Sequence, residues 1–172
     1  MALNIEVLTA AHLAGSCVTG HSDIDRYLHT LALAEQAQGL ATVHLAVAPD
    51  HTVVGFFTLS PISLRLDALV SVLPSLAGGP YPQVGGYLLG RMGVDAARQG
   101  QNIGSALVAR ASDLARAQRG QTGGAFLAVD PKDDRLCGFY ARFGFRRLDP
   151  TGVRRRMILP FDWSDPRGAP TK

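Results

Sequence analysis

The sequence predicts an α/β fold, with strands and helices alternating around a central sheet. Three observations carry that reading. Residues 88–111 run from an apolar strand, through a loop bearing Gly100, Asn102 and Gly104, into an amphipathic helix. Residues 42–48 and 53–59 are two apolar runs joined by Pro49-Asp50-His51, the pattern of a hairpin. Residues 125–159 then read strand, helix, strand. With 172 residues, 47% of them hydrophobic and 18% charged, the chain can bury a real core.

Taken in order, residues 4–8 form a strand, and Thr9 caps a short turn through Leu13. Ser22 opens a helix, with Asp25 three residues on as a weakened capping box. Ile24, Tyr27, Leu28, Leu31 and Ala34/Glu35 mark its buried face, and Gly39 ends it. Residues 62–72 alternate in a way that suits a strand or a short helix. Residues 73–86, with four glycines and three prolines, read as a loop. The next strand, 88–94, buries Leu88, Leu89, Met92 and Val94. The helix after the loop presents Ile103, Leu107, Val108, Ala111, Leu114 and Ala115 on one face and ends near Arg119-Gly120. A strand at 125–129, a helix at 134–143 and a strand at 155–159 complete six to seven strands and about four helices. Residues 1–161 form a single domain, and 162–172, with two prolines and little to bury, a flexible tail.

The loop at 99–105 is the first functional signal. A strand feeding a glycine-bearing turn at a helix start can hold an anion, because the first helical N–H groups lack intrahelical acceptors. A pyrophosphate suits it. The dinucleotide fingerprint G-x-G-x-x-G is absent, and so is the Gly-Lys-Ser/Thr of a P-loop. Metal chemistry has no footing in the sequence: Cys17 and Cys137 form no C-x-x-C, and the five histidines are scattered. Two lone cysteines fit a reducing compartment, hence the cytoplasm. No apolar run reaches the ~20 residues that span a bilayer, and no secretory signal is visible.

The net charge is only +3, but the basic residues are nearly all arginine, and Arg146, Arg147, Arg154, Arg155 and Arg156 cluster late in the chain. Arginine suits phosphate through its fixed fork of donors. A solvated hairpin is the plainer explanation of the cluster, and composition alone favours it. Glutamate occurs only at Glu6 and Glu35, so carboxylate bases are scarce.

Gln99-Gly100-Gln101-Asn102-Ile103-Gly104 resembles the acyl-CoA loop of the GNAT family of N-acetyltransferases, Gln/Arg-x-x-Gly-x-Gly/Ala. Asn102 replaces the first glycine of that pattern; asparagine is the residue best able, after glycine, to take a left-handed backbone. Phe139-Tyr140-x-x-Phe143-Gly144-Phe145 is similar to the segment that closes the same fold. The resemblance implies a mixed sheet whose fourth and fifth strands, 88–94 and 125–129, splay apart to admit pantetheine. It implies acetyl-CoA as cosubstrate, held by Met92, Gly93 and Val94 on the strand and by Arg98, Gln99, Gly100, Gln101, Asn102, Gly104 and Ser105 on the loop. Val94 N–H becomes a donor to the thioester oxygen. Periodicity alone makes Tyr140 a buried aromatic between Phe139 and Phe143; the resemblance makes it the acid that protonates the departing sulfur. No general base stands out among Glu35, Asp95 and Asp130.

A narrower resemblance spans most of residues 15–145. Ser22-x-Ile24-Asp25-x-Tyr27-Leu28, Gln36, Gly39, Val54-Gly55-Phe56-Phe57-Thr58-Leu59-Ser60, Pro80-Tyr81-Pro82 and Leu88-Leu89-Gly90-Arg91 look like toxin acetyltransferases of bacterial toxin–antitoxin pairs. Residues 40–43, without a basic side chain, depart from them. This resemblance implies acetylation of the α-amine of aminoacyl-tRNA, a ribbon–helix–helix antitoxin, a homodimer, and a role for Arg91, Arg146 and Arg147 on tRNA phosphates. An α-amine, with a pKa of ~7.7–8, needs little help from a base, which agrees with the few carboxylates. Two alternatives follow from the same residues: an acetyltransferase of a small amine or a protein N-terminus, and a non-catalytic acyl-CoA-binding module.

Overall fold

The computed structural model describes residues 3–15 and 17–161; the expected tail, 162–172, lies outside the described residues. Seven strands form one mixed sheet: β1 Asn4–Val7, β2 Thr42–Val47, β3 Val53–Arg65, β4 Gln83–Val94, β5 Phe126–Val129, β6 Arg146–Arg147 and β7 Met157–Pro160, in the order β1-β2-β3-β4-β5-β7-β6. β1, β2 and β3 pair antiparallel, β4 and β5 pair parallel, and β7 lies antiparallel to both β5 and β6. The helices are α1 Ser22–Arg26, continued through a π turn, Tyr27–Leu31, into α2 Ala32–Ala37; then α3 Leu66–Leu69, α4 Ile103–Thr122 and α5 Asp134–Ala141.

The described residues pack as two compact units, those up to 60 with 90–111 and 61–89 with 112–161. In the first, Leu8, Tyr27, Leu28, Val43, Leu45 and Phe56 close a core under the β1–β2–β3 meander. In the second, Leu69, Val72, Leu73, Phe126, Ala128 and Ile158 do the same.

Several boundaries move for physical reasons. The π turn inserts one residue into the first helix, so its buried face slips by one: Ala32 is fully buried, while Leu31, expected inside, is 42% exposed. The ambiguous stretch 62–72 is both things in turn, with β3 running to Arg65 and α3 following. β4 starts at Gln83, five residues ahead of the expected strand, and Gly86 within it serves packing rather than a turn. A Cβ on Gly86 would sit 2.5 Å from the Phe126 ring. The expected strand 155–159 pairs from Met157, and the two-residue β6, missed in the sequence, lies beside it.

The pairing of β4 with β5 covers Tyr87–Leu89 against Leu127–Val129, and β4 continues to Val94 beyond the last pair.

Candidate active site

In the first unit, the end of β4 and the loop after it bring together Arg91, Met92, Gly93, Val94 and residues 98–105. Asp95 N–H donates to Val54 O at 3.0 Å, and Arg91 N–H donates to Thr58 Oγ1 at 2.9 Å. Both odd-numbered amides thus face β3. Strand alternation turns the N–H groups of Met92 and Val94 the other way, away from β3. Gly93 has to be glycine, since a Cβ there would meet Thr19 Cγ2 at 2.6 Å and Ile24 Cγ2 at 2.9 Å.

The loop has the shape of an anion cradle. Gly100 has φ +80° and Asn102 φ +61°, so both hold the left-handed conformation, which asparagine takes more readily than other non-glycine residues. Its carbonyl accepts the first helical bond, from Ala106 N–H at 3.1 Å. The amides of Ile103, Gly104 and Ser105 begin α4 with no acceptor inside the helix. With the helix dipole behind them, these groups fit a pyrophosphate. Arg98 is held only loosely, 4.0 Å from Asp50.

The Gln99 side chain does something that spacing did not reveal. Its Nε2 donates to Thr19 O at 3.0 Å and to Val94 O at 3.2 Å, tying the loop to the strand end and to residues 17–20. Thr19 is itself buried and anchored: its N–H and hydroxyl both donate to Asp25 Oδ1 at 2.7 Å. Burial works against the Asp25 charge, but these bonds outweigh it and hold the carboxyl below its usual range. Asp25 is therefore a brace for Thr19, where the sequence suggested a capping box. His21 stands at the cap of α1 without a side-chain bond.

Of the three carboxylates considered as bases, two are engaged. Asp95 caps the turn after β4, Oδ1 accepting Ala97 N–H at 3.0 Å and Oδ2 accepting Val18 N–H at 3.1 Å. Asp130, in the second unit, takes a two-pronged bond from Arg156 at 2.8 and 2.6 Å, with Arg154 at 3.6 Å. The Arg156 bonds hold its carboxyl below the usual range. Glu35 is different. Its partner is Arg91, at 3.9 Å, whose guanidinium also lies 4.0 Å from the centre of the Tyr27 ring.

The second unit carries the other expected residues. Tyr140, on α5, is 5% exposed, with Phe139 and Phe145 edge-on to its ring at 5.1 and 5.6 Å. Burial pushes its hydroxyl up to about 12, so it stays protonated throughout the neutral range. Asp133 caps α5 by accepting Leu136 N–H at 2.8 Å. The arginine cluster is largely spoken for: Arg154 and Arg156 by Asp130, Arg155 by Asp134 at 3.0 Å. Arg147 donates to Gly152 O at 3.3 Å, and Arg146 is exposed on β6.

Sequence comparison decides the family. The profile of the Acetyltransferase (GNAT) family matches residues 19–145, which include both the loop and Tyr140. The chain belongs to the GNAT family. It is an N-acetyltransferase, and acetyl-CoA is the donor its family uses. A tRNA-acetylating toxin of Mycobacterium tuberculosis (strain ATCC 25618 / H37Rv) is 30% identical over 145 residues, 84% of each chain. Among solved structures, AtaT complexed with acetyl-methionyl-tRNAfMet superposes with a TM-score of 0.79 at 23% identity, over 92% of this chain and 95% of that one. AtaTR bound with AcCoA gives 0.76 at 24%, over 92% and 93%. A mutant of KacT gives 0.83 at 22%, over 93% and 95%. These structural likenesses establish the GNAT fold. No helix among the described residues is long and apolar enough to cross a membrane.

Proposed function

We propose that this GNAT enzyme is a bacterial toxin that transfers the acetyl group of acetyl-CoA to the α-amino group of aminoacyl-tRNA and so blocks translation in the cytoplasm. The supporting observation is its 30% identity, over 84% of the chain, to a tRNA-acetylating toxin. The state of the carboxylates agrees. With Asp95 and Asp130 engaged, the enzyme suits an acceptor that is already partly neutral, as an α-amine is and a lysine ε-amine, at ~10.4, is not. Arg91, Arg146 and Arg147 are the contacts for tRNA phosphate, which makes binding weaken with added salt. The partner is a small ribbon–helix–helix antitoxin, and the enzyme works as a homodimer.

The thioester supplies an activated acetyl group. Met92 and Val94 bind the pantetheine amides through the backbone. The amides of Gln99, Gly100, Gln101, Asn102, Gly104 and Ser105, with Arg98, take the pyrophosphate. Val94 N–H polarises the carbonyl. The amine nitrogen attacks the carbonyl carbon, the carbon–sulfur bond breaks, and Tyr140 gives its proton to the sulfur. The proton lost by the amine then restores the phenol. Donation from a group at about 12 to a thiolate whose acid lies at ~8.5 is uphill alone, but the acidic acylated nitrogen makes the sum favourable.

The direct test incubates the protein with labelled acetyl-CoA and a pool of charged tRNAs. Label on the aminoacyl end is expected. Transfer only to small amines or peptide N-termini would replace the toxin reading with the alternative acetyltransferase. The rate should climb through about pH 7–8 as the α-amine loses its proton. It should then stay level to at least about pH 10, because Tyr140 holds its proton until about 12. A falling limb near pH 9 would argue against Tyr140 as the donor.

The loop gives a second test. Asn102→Gly should keep acetyl-CoA affinity within about twofold, since glycine takes the same φ freely. Asn102→Val should weaken it by roughly tenfold or more, because a β-branched residue at positive φ costs about 1–2 kcal/mol. Titration calorimetry reads both, and equal affinities would mean the loop does not carry the phosphates.

A further inference from the structure

Among the described residues of the first unit, one buried side-chain oxygen has no well-formed hydrogen bond. The Tyr27 hydroxyl is buried in a residue only 1% exposed, and it makes no hydrogen bond of full geometry among the described residues, with the Glu35 carboxylate as its neighbouring acceptor. Its ring is fixed on one side, stacked on Phe56 with centroids 6.3 Å apart. The Arg91 guanidinium, 4.0 Å from the ring centre, covers the ring as well. Burial first, then the charge and hydrogen bonding of the Glu35 carboxylate, push the hydroxyl up to about 12, so it stays a donor, held only loosely by Glu35.

A buried hydroxyl so poorly satisfied costs stability, and a phenylalanine would pack the same space without that cost. Two movable groups flank it. Arg91 is 44% exposed and Glu35 31% exposed, and their 3.9 Å separation is too long for a hydrogen bond, so the pair is held by charge alone. Arg91 can leave Glu35 for a stronger anion at little cost. The π turn that carries Tyr27 is the same irregularity that displaces Leu31 outward, and such turns are frequent at functional positions.

We propose that Tyr27 and Glu35 form the recognition site for the acceptor's α-amino acyl group, with Arg91 as a counter-ion that a ligand phosphate draws away. Glu35 accepts from the amino group and the Tyr27 hydroxyl donates to the acyl carbonyl. One donor and one acceptor side by side match the two polar ends of an α-amino ester. The assignment rests on the aminoacyl acceptor proposed above and extends it by naming what holds the amine.

Tyr27→Phe and Glu35→Gln are compared with wild type on charged tRNA and on amino acid methyl esters, with acetyl-CoA affinity and Tm measured for each. Each variant should lose about tenfold or more in kcat/KM, the weight of one hydrogen bond to a charged or buried partner, with acetyl-CoA affinity retained. Tyr27→Phe should lose this activity with Tm unchanged or raised, which a purely structural tyrosine would not do. Undiminished activity in both variants, or a Tm that falls with the activity, overturns the proposal. A wild type active on the methyl esters but on no charged tRNA would end the toxin reading, and the same variants would still decide the role of Tyr27 and Glu35. A wild type inert on both acceptors overturns the two together.

Discussion

Tyr140→Phe is expected to lower kcat for acetyl transfer by about 10²–10⁴-fold, the usual range for losing a positioned proton donor. Acetyl-CoA affinity and Tm should stay close to wild type. The ring makes the packing contacts, edge-on to Phe139 and Phe145, and phenylalanine keeps them. Steady-state kinetics on charged tRNA, with calorimetry for acetyl-CoA, separates the two effects. A drop in affinity to match kcat would make Tyr140 a binding residue. An unchanged kcat would return it to the buried aromatic that periodicity alone suggests.

Asp130→Ala is expected to cost about 2–3 kcal/mol of stability, because it strands the Arg156 guanidinium, whose side chain is only 10% exposed. The figure is below the ~3–5 kcal/mol of a fully buried pair, since Asp130 is 40% exposed and water screens part of the interaction. For a chain of this length that is roughly 5–10 °C in Tm. The bonds to Arg156 depress the Asp130 pKa in the folded state, so their stabilisation is complete above the unfolded value, ~3.9, and disappears as pH falls through the folded one. The gap in Tm between wild type and Asp130→Ala should therefore be wide at pH 7 and narrow below about pH 4. A gap that stays constant with pH would mean that packing, not charge, is what Asp130 contributes.

Local pattern carried much of the fold. Ile103, Leu107, Val108, Ala111 and Ala115 are all buried, as helical spacing requires. The hairpin of β2 and β3, the helix stop at Gly39 with φ +73°, and the left-handed Asn102 were likewise legible, since each depends on residues within one turn or one strand. The family motifs were legible for the same reason, being short and contiguous.

What the sequence by itself determined is thus the order of the main elements, the glycine-bearing loop ahead of α4 and the family. Tertiary structure alone decided which charges are available. Arg156 finds Asp130 across 26 positions and Arg155 finds Asp134 across 21, which turns an apparent basic patch into paired side chains. Gln99 reaches back 80 positions to Thr19, and Asp95 reaches 77 to Val18, so one becomes a strut and the other a cap. Tyr27 looks like any core aromatic until the fold sets its poorly satisfied hydroxyl beside Glu35 and Arg91. The physical reason is common to all of them. Periodicity reports which side a residue faces, whereas pairing and desolvation depend on what distant segments bring to that side.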